Sequence, residues 1–220
     1  LDHIWAATVP LRLFYYILRA PGVIVHECAH IAGCLLTGAK IKNVVLFSRE
    51  GGSVTYSQPV IPYLGDVIIS TAPLFALPFL LSVITTVFQD YLGCTFPVFP
   101  STISSPDMLL ALTAGILSTI QANLLTTFNG WFLLYLYLTI SLVLSAAPST
   151  QDMKNAAIGI FLLSLFAAMI LYSNIPFIVD LFAQAMRLLE IGFTLGLVYG
   201  LFALILSTPL ILWYVYRRVS

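Results

Sequence analysis

Charge is what this sequence has little of. Only 8% of its 220 residues are Asp, Glu, Lys or Arg, against about 25% in a soluble globular domain. That scarcity excludes an ordinary water-soluble fold. It also excludes disorder, which needs charge and few aromatics. Nine basic side chains cancel nine acidic ones, so there is no basic field for a nucleic-acid partner. Three cysteines (Cys28, Cys34, Cys94) make neither a disulfide framework nor a Cys-x-x-Cys metal spacing. No cleavable leader pattern opens the chain, whose start at Leu1 reads as trimmed. What is abundant is apolar: 60% of residues are hydrophobic and the mean hydropathy is +1.01. The expected fold is an all-α polytopic membrane protein of about five to six membrane helices, each needing about 20 apolar residues. It reads as one domain over residues 1–220, with a core at about 21–173 and a C-terminal helix at about 191–216.

The apolar runs set the organisation. Ile4–Leu18 carries Arg12 and is followed by Arg19, which suits a tilted or interfacial helix. A second run starts at Pro21, a residue suited to a first helical turn, and ends near Ala39, where Gly38 and Lys40 are stop signals. The β-rich segments Ile41–Phe47 and Ser53–Tyr56 flank the turn Ser48–Gly52 and predict a short hairpin. A third run spans about Leu64–Phe88 and holds Pro73 and Pro78. A proline-containing loop, Gln89–Asp107, leads to an apolar stretch, Met108–Leu144, that divides near Asn129-Gly130. Pro148–Asp152 breaks the pattern before the span Met153–Tyr172, and the last span is expected at about Ile191–Tyr216. Lys40, Lys42, Arg49, Lys154, Arg217 and Arg218 can share the cytoplasmic side. That orientation requires Met108–Leu144 to cross an odd number of times. Met108–Phe128 is therefore expected to be interfacial or re-entrant, with Trp131–Leu144 completing the crossing.

Histidine is scarcer than charge, and two of the three lie in His26-Glu27-Cys28-Ala29-His30. Four residues advance an α-helix by about 400°, so both imidazoles project from one face one turn apart. That suits two ligands of a tetrahedral zinc, with Glu27 beside them as a proton acceptor for metal-bound water. An HExxH match arises by chance on the order of once in 10³ chains of this composition, and charges inside a membrane helix are expensive. Catalytic zinc takes three protein ligands, so one is missing. Asp66, Asp90, Asp107, Asp152, Asp180 and Glu190 are the carboxylate candidates. The histidines lie about 12–20 Å below the cytoplasmic surface at 1.5 Å per residue. Depth favours Asp152, then Asp66; each also has a plain reading as a helix-start charge. Polar side chains from Thr113 to Asn129 are candidates to line a water path, or simply to bond between helices. Cys28 is expected to be an inert apolar side chain.

At these residues the chain resembles the site-2 protease family of intramembrane zinc metalloproteases. His26–Tyr56 looks like that family's catalytic helix and hairpin. Ser70–Ala76 (STAPLFA) sits where many members have Ala-Gly-Pro, and Ala147–Ala156 (APSTQDMKNA) looks like the second motif, whose Asp ligates zinc. The likeness covers about residues 21–172. Where many members have Asn in the second motif, this chain has Leu144. The resemblance implies a zinc endopeptidase with one Zn²⁺ per chain, held by His26, His30 and Asp152. Zinc-bound water would be activated by Glu27, and the cut would fall in a transmembrane protein substrate within the lipid bilayer. The enzyme would be a multi-pass membrane protein with its site toward the cytoplasmic side. An extended substrate could add a strand to the hairpin at Val44, Val45, Leu46 and Phe47 or at Ser53, Val54, Thr55 and Tyr56. The competing classes are an inactive, partner-binding member and a transporter using the same cluster as an ion relay. A protease of prenylated proteins would need a downstream Glu with an acidic residue or His one turn later, whereas Glu190 is followed at that spacing by Thr194.

Overall fold

A computed structural model describes residues 1–9, 12–48, 51–100, 102–103, 105–173 and 175–219. Seven α-helices carry the fold: α1 (Asp2–Thr8), α2 (Arg12–Thr37), α3 (Leu64–Leu92), α4 (Pro106–Gln121), α5 (Gly130–Ala146), α6 (Thr150–Ser173) and α7 (Pro176–Val219). Two strands, β1 (Ile41–Val45) and β2 (Ser53–Tyr56), form an antiparallel hairpin after α2. Among the described residues, five helices are long and apolar enough to cross a membrane, and α5 is a shorter apolar one. Much of the apolar surface faces outward, including Phe161, Phe166 and Met169 on α6 and Leu188, Phe193 and Leu212 on α7. Exposure on this scale suits a lipid environment rather than water.

Helix α3 is the hub and packs against α2, α5, α6 and α7. Helix α2 lies between α3 and α5. Gly33 makes the first contact close: a Cβ there would fall 2.9 Å from Ile69 Cα. A core of Phe88, Ile116, Phe132, Tyr135, Val198 and Phe202 ties α3, α4, α5 and α7 together. Within it the Thr85 hydroxyl lies 3.0 Å from Tyr135 OH and 2.9 Å from Tyr199 OH. Buried hydroxyls are thus bonded to one another, as an apolar surrounding demands.

Two helix boundaries differ from expectation. Helix α2 begins at Arg12 and runs through Pro21 without a break. A proline inside a helix frees the carbonyl four residues earlier. Here that carbonyl, Ile17 O, accepts a bond from Tyr137 OH at 2.8 Å, so the continuous helix leaves it satisfied. The end of α2 is as expected, with Gly38 at φ 69°, a left-handed conformation that glycine adopts without strain. At the other end of the chain, α7 is one 44-residue helix from Pro176, so no new helix starts near Ile191. Asp180, Arg187 and Glu190 lie along this helix rather than ahead of it.

The stretch between α3 and α5 closes on itself. Asn123 binds Thr95 twice: Thr95 N donates to its Oδ1 at 3.0 Å, and its Nδ2 donates to Thr95 O at 2.8 Å. Asn129, just before α5, donates to Leu92 O at 2.8 Å. Helix α4 and its final π-turn, Ala122–Thr126, therefore return to the place where α3 ended. By length and composition Pro106–Thr126 is itself one of the five helices that could cross a membrane.

Candidate metal centre

The two histidines of α2 face the seam between α3 and α5, and each is oriented by a free backbone carbonyl. Pro73 has no N–H to offer the carbonyl of Ile69, four residues earlier in α3. His30 Nδ1–H donates to that oxygen at 2.8 Å. Helix α5 ends at Ala146, ahead of Pro148, so the Ser145 carbonyl has no helical partner. His26 Nδ1–H donates to it at 2.6 Å. A carbonyl only accepts, so both rings carry their proton on Nδ1 and present Nε2 as a bare lone pair. The two Nε2 atoms stand 3.1 Å apart. Two lone pairs at that distance repel unless a cation lies between them.

A third donor closes on the same point. Asp152, in the first turn of α6, brings Oδ1 to 3.5 Å from His30 Nε2. Its other oxygen, Oδ2, accepts from Ser149 N at 2.8 Å and Ser149 Oγ at 2.6 Å. The helix-start role and the ligand role thus use different oxygens. Donor atoms of His26, His30 and Asp152 all lie within 4.8 Å of one another. Zinc bonds of 2.0–2.1 Å in a tetrahedron set ligand–ligand edges of about 3.3–3.4 Å. The two edges at His30, 3.1 and 3.5 Å, bracket that value, while the His26–Asp152 edge lies within 4.8 Å; two imidazoles and a carboxylate are a donor set that suits zinc. Asp66, the other carboxylate considered, accepts instead from Tyr63 N at 3.3 Å at the start of α3. It is outside the cluster, as are Asp90, Asp107, Asp180 and Glu190. Cys28 is free and exposed, also outside it.

Glu27 is only 5% exposed. It shares with His26 a cavity of about 270 Å³ lined also by Arg19, Asp2, Gly51, Gly52, Ser145 and Ser149. The tip of the hairpin covers it: a Cβ on Gly52 would come 2.6 Å from Glu27 Oε1. A side chain at position 52 would require Glu27 to move. A larger apolar groove of about 660 Å³, between α2, α3 and α7, includes neither imidazole nor Glu27.

The hairpin residues divide by face. Val45 pairs with Ser53, Val44 with Val54 and Asn43 with Thr55, with a bulge before Ile41 pairs with Tyr56. Val54 and Tyr56 pack against Cys34, Ala39 and Ile69, and Tyr56 OH accepts from Asn155 Nδ2 at 3.5 Å, one turn after Asp152. Val44 is exposed, as are Leu46 and Phe47, which lie beyond the last paired residue of β1. Ser53 and Thr55 are exposed on the opposite face of β2 from Val54. The turn residues Arg49 and Glu50 lie outside the described residues.

The polar side chains of Thr113–Asn129 do not line the cavity. Thr113 and Ser118 bond to carbonyls of their own helix, and Asn123 and Asn129 hold the loop after α3. Sequence reasoning overlooks the two carbonyls, Ile69 O and Ser145 O, and the Ser149 clamp. Their only signals are Pro73 four residues after Ile69, and a serine three residues before Asp152. The chain matches no family description, no curated protein and no solved structure.

Proposed function

We propose that the protein is an intramembrane zinc endopeptidase, similar in its working parts to the site-2 proteases, that hydrolyses peptide bonds of membrane-spanning substrates. One observation carries the reading. Two imidazoles, each fixed in the Nδ1–H tautomer by a carbonyl, aim bare nitrogens 3.1 Å apart with a carboxylate oxygen beside them, and a buried Glu27 opens onto the same cavity.

In this reading His26, His30 and Asp152 would hold one Zn²⁺, with His26 and Glu27 lining the adjacent cavity. When bound, zinc there supplies Lewis acidity toward the scissile carbonyl and a water acidic enough to lose its proton near neutral pH. Glu27 would take a proton from the water as its oxygen bonds to the scissile carbon, and would deliver that proton to the amine nitrogen as the C–N bond breaks. Ser145 O and Ile69 O keep the imidazole planes in place, and Ser149 holds Asp152 by its second oxygen. Low exposure of Glu27 limits bulk water at the site.

A helical substrate hides its peptide bonds in its own hydrogen bonds, so the cut segment must be extended. The exposed edge at Val44, Val45, Leu46 and Phe47, or the one at Ser53 to Tyr56, would hold it by strand addition. The basic residues do not share one side: His3 packs on Tyr214 and Trp5 bonds to Ser207 near the N-terminal end of α2, so Arg217 and Arg218 lie at that end, opposite Lys40 and Lys42 just past the C-terminal end of α2. The test is cleavage of a generic transmembrane peptide in detergent. Wild type should cut it, and Glu27→Gln should bind zinc equally and cut nothing. Undiminished cleavage by Glu27→Gln would refute the assignment.

A further inference from the structure

The active-site cavity contains a charged pair that neither the metal centre nor the general base uses. Arg19 and Asp2 both line it. Arg19 lies on the same side of α2 as His26 and Glu27, two turns earlier. Its Nε is 3.4 Å from Asp2 Oδ1 but is buried and makes no hydrogen bond there. Asp2 Oδ1 has a better partner in Tyr15 OH, at 2.6 Å. The guanidinium carbon lies 5.7 Å over the Tyr15 ring, which fixes its place. Among the described lining residues Arg19 is the one permanent cation. A pair so poorly bonded and partly exposed (28% and 41% for the two side chains) is one that another carboxylate can enter.

We infer that Arg19 is a carboxylate-recognition residue of the substrate site, and that Asp2 occupies its place until a substrate carboxylate displaces it. The inference rests on the peptidase reading for the identity of its ligand as a peptide. Seven residues of helix separate Arg19 from His26, about 10 Å at 1.5 Å per residue. An extended peptide covers that distance in about three residues at 3.3 Å each. The recognised group is therefore a carboxylate about three residues from the cut. It is either an acidic side chain within a longer segment or the free C-terminus of a short one. Asp2 belongs to a separate short helix, α1, whose place is held by Trp5 Nε1 donating to Ser207 Oγ of α7 at 2.9 Å and does not depend on the Arg19 contact.

The experiment uses the full chain in detergent, with the Glu27→Gln background to prevent turnover. Fluorescent apolar peptides carry a single Glu or Gln, moved one residue at a time, and a second set ends there in a free carboxylate or an amide. Binding is read by anisotropy. One position should favour Glu over Gln by about tenfold or more, as a charge-assisted bond does. The ratio should fall to about one in Arg19→Gln, persist in Arg19→Lys, and rise in Asp2→Asn. A preference confined to the carboxylate-terminated set identifies a chain end as the ligand. No position with a preference, no peptide bound, or a ratio that survives Arg19→Gln would overturn the inference. If Arg19→Gln does not fold, the Asp2→Asn ratio decides, and its failure to rise is equally fatal. Arg19-dependent binding, with no cleavage by zinc-loaded protein that retains Glu27, would sink the peptidase reading alone.

Discussion

Replacing Pro73 by alanine should loosen the metal site while favouring the helix that carries it. Proline inside a helix is disfavoured against alanine by about 3 kcal/mol, so α3 alone should gain from the change. The new N–H at position 73, however, points at Ile69 O, the acceptor that holds His30 at 2.8 Å. Loss of such a supporting bond lowers metal affinity about 10–100-fold. A carbonyl has two lone pairs and shares rather than surrenders its bond, so the lower end applies. About tenfold, or ~1.4 kcal/mol, is expected. The control is Pro78→Ala, the same chemistry one turn and a half later, where the freed carbonyl belongs to Leu74 and neither imidazole bonds to it. Zinc affinity from chelator competition, with thermal melting of the metal-free protein, separates the two effects. Pro73→Ala should bind zinc more weakly without melting earlier, and Pro78→Ala should bind it as wild type does. Equal zinc affinity in all three proteins would refute the idea that Pro73 exists to supply the His30 acceptor.

Other substitutions probe other parts of the site. Ser149→Ala removes the bond its hydroxyl donates to Asp152 Oδ2 and the helix-cap bond that the hydroxyl accepts from Asp152 N. It should weaken zinc by about tenfold and cost about 1 kcal/mol of stability, read by chelator competition and melting. Gly52→Ala places a methyl group 2.6 Å from Glu27 Oε1; peptide cleavage should fall several-fold while zinc content stays at wild-type level. Tyr137→Phe orphans Ile17 O, which Pro21 has already freed. It should lower the melting temperature by an amount equivalent to about 1 kcal/mol, with zinc affinity unchanged.

What could be read in the sequence was the chemistry that has its own letters. His26, Glu27 and His30 announce themselves by spacing, and Asp152 by depth and by its place after a proline break. The structure brings His26, His30 and Asp152 together and leaves Asp66 at a helix start. What was hidden is the backbone's share. Pro73 looks like an interruption of an apolar run, yet its effect is to release the carbonyl that orients a ligand. Pro21 suits the first turn of a helix and actually lies inside one, because a tyrosine 116 positions away satisfies the carbonyl it frees. The charges Asp180, Arg187 and Glu190 suggest the boundary of a span, but helix propensity ignores that boundary and α7 runs on through them. The approach of Gly52 to Glu27 is a tertiary contact between a hairpin tip and a helix, and two glycines in a turn do not distinguish it from an ordinary reversal.

The most direct measurement is zinc stoichiometry with X-ray absorption at the zinc edge, on wild type and Asp152→Asn purified in detergent. One zinc per chain with two imidazole nitrogens and a carboxylate oxygen at 2.0–2.2 Å is the expected wild-type result, with weakened binding in Asp152→Asn. A wild-type protein without stoichiometric zinc, or an Asp152→Asn variant with the same affinity and the same ligand shell, would contradict a metal centre built from His26, His30 and Asp152.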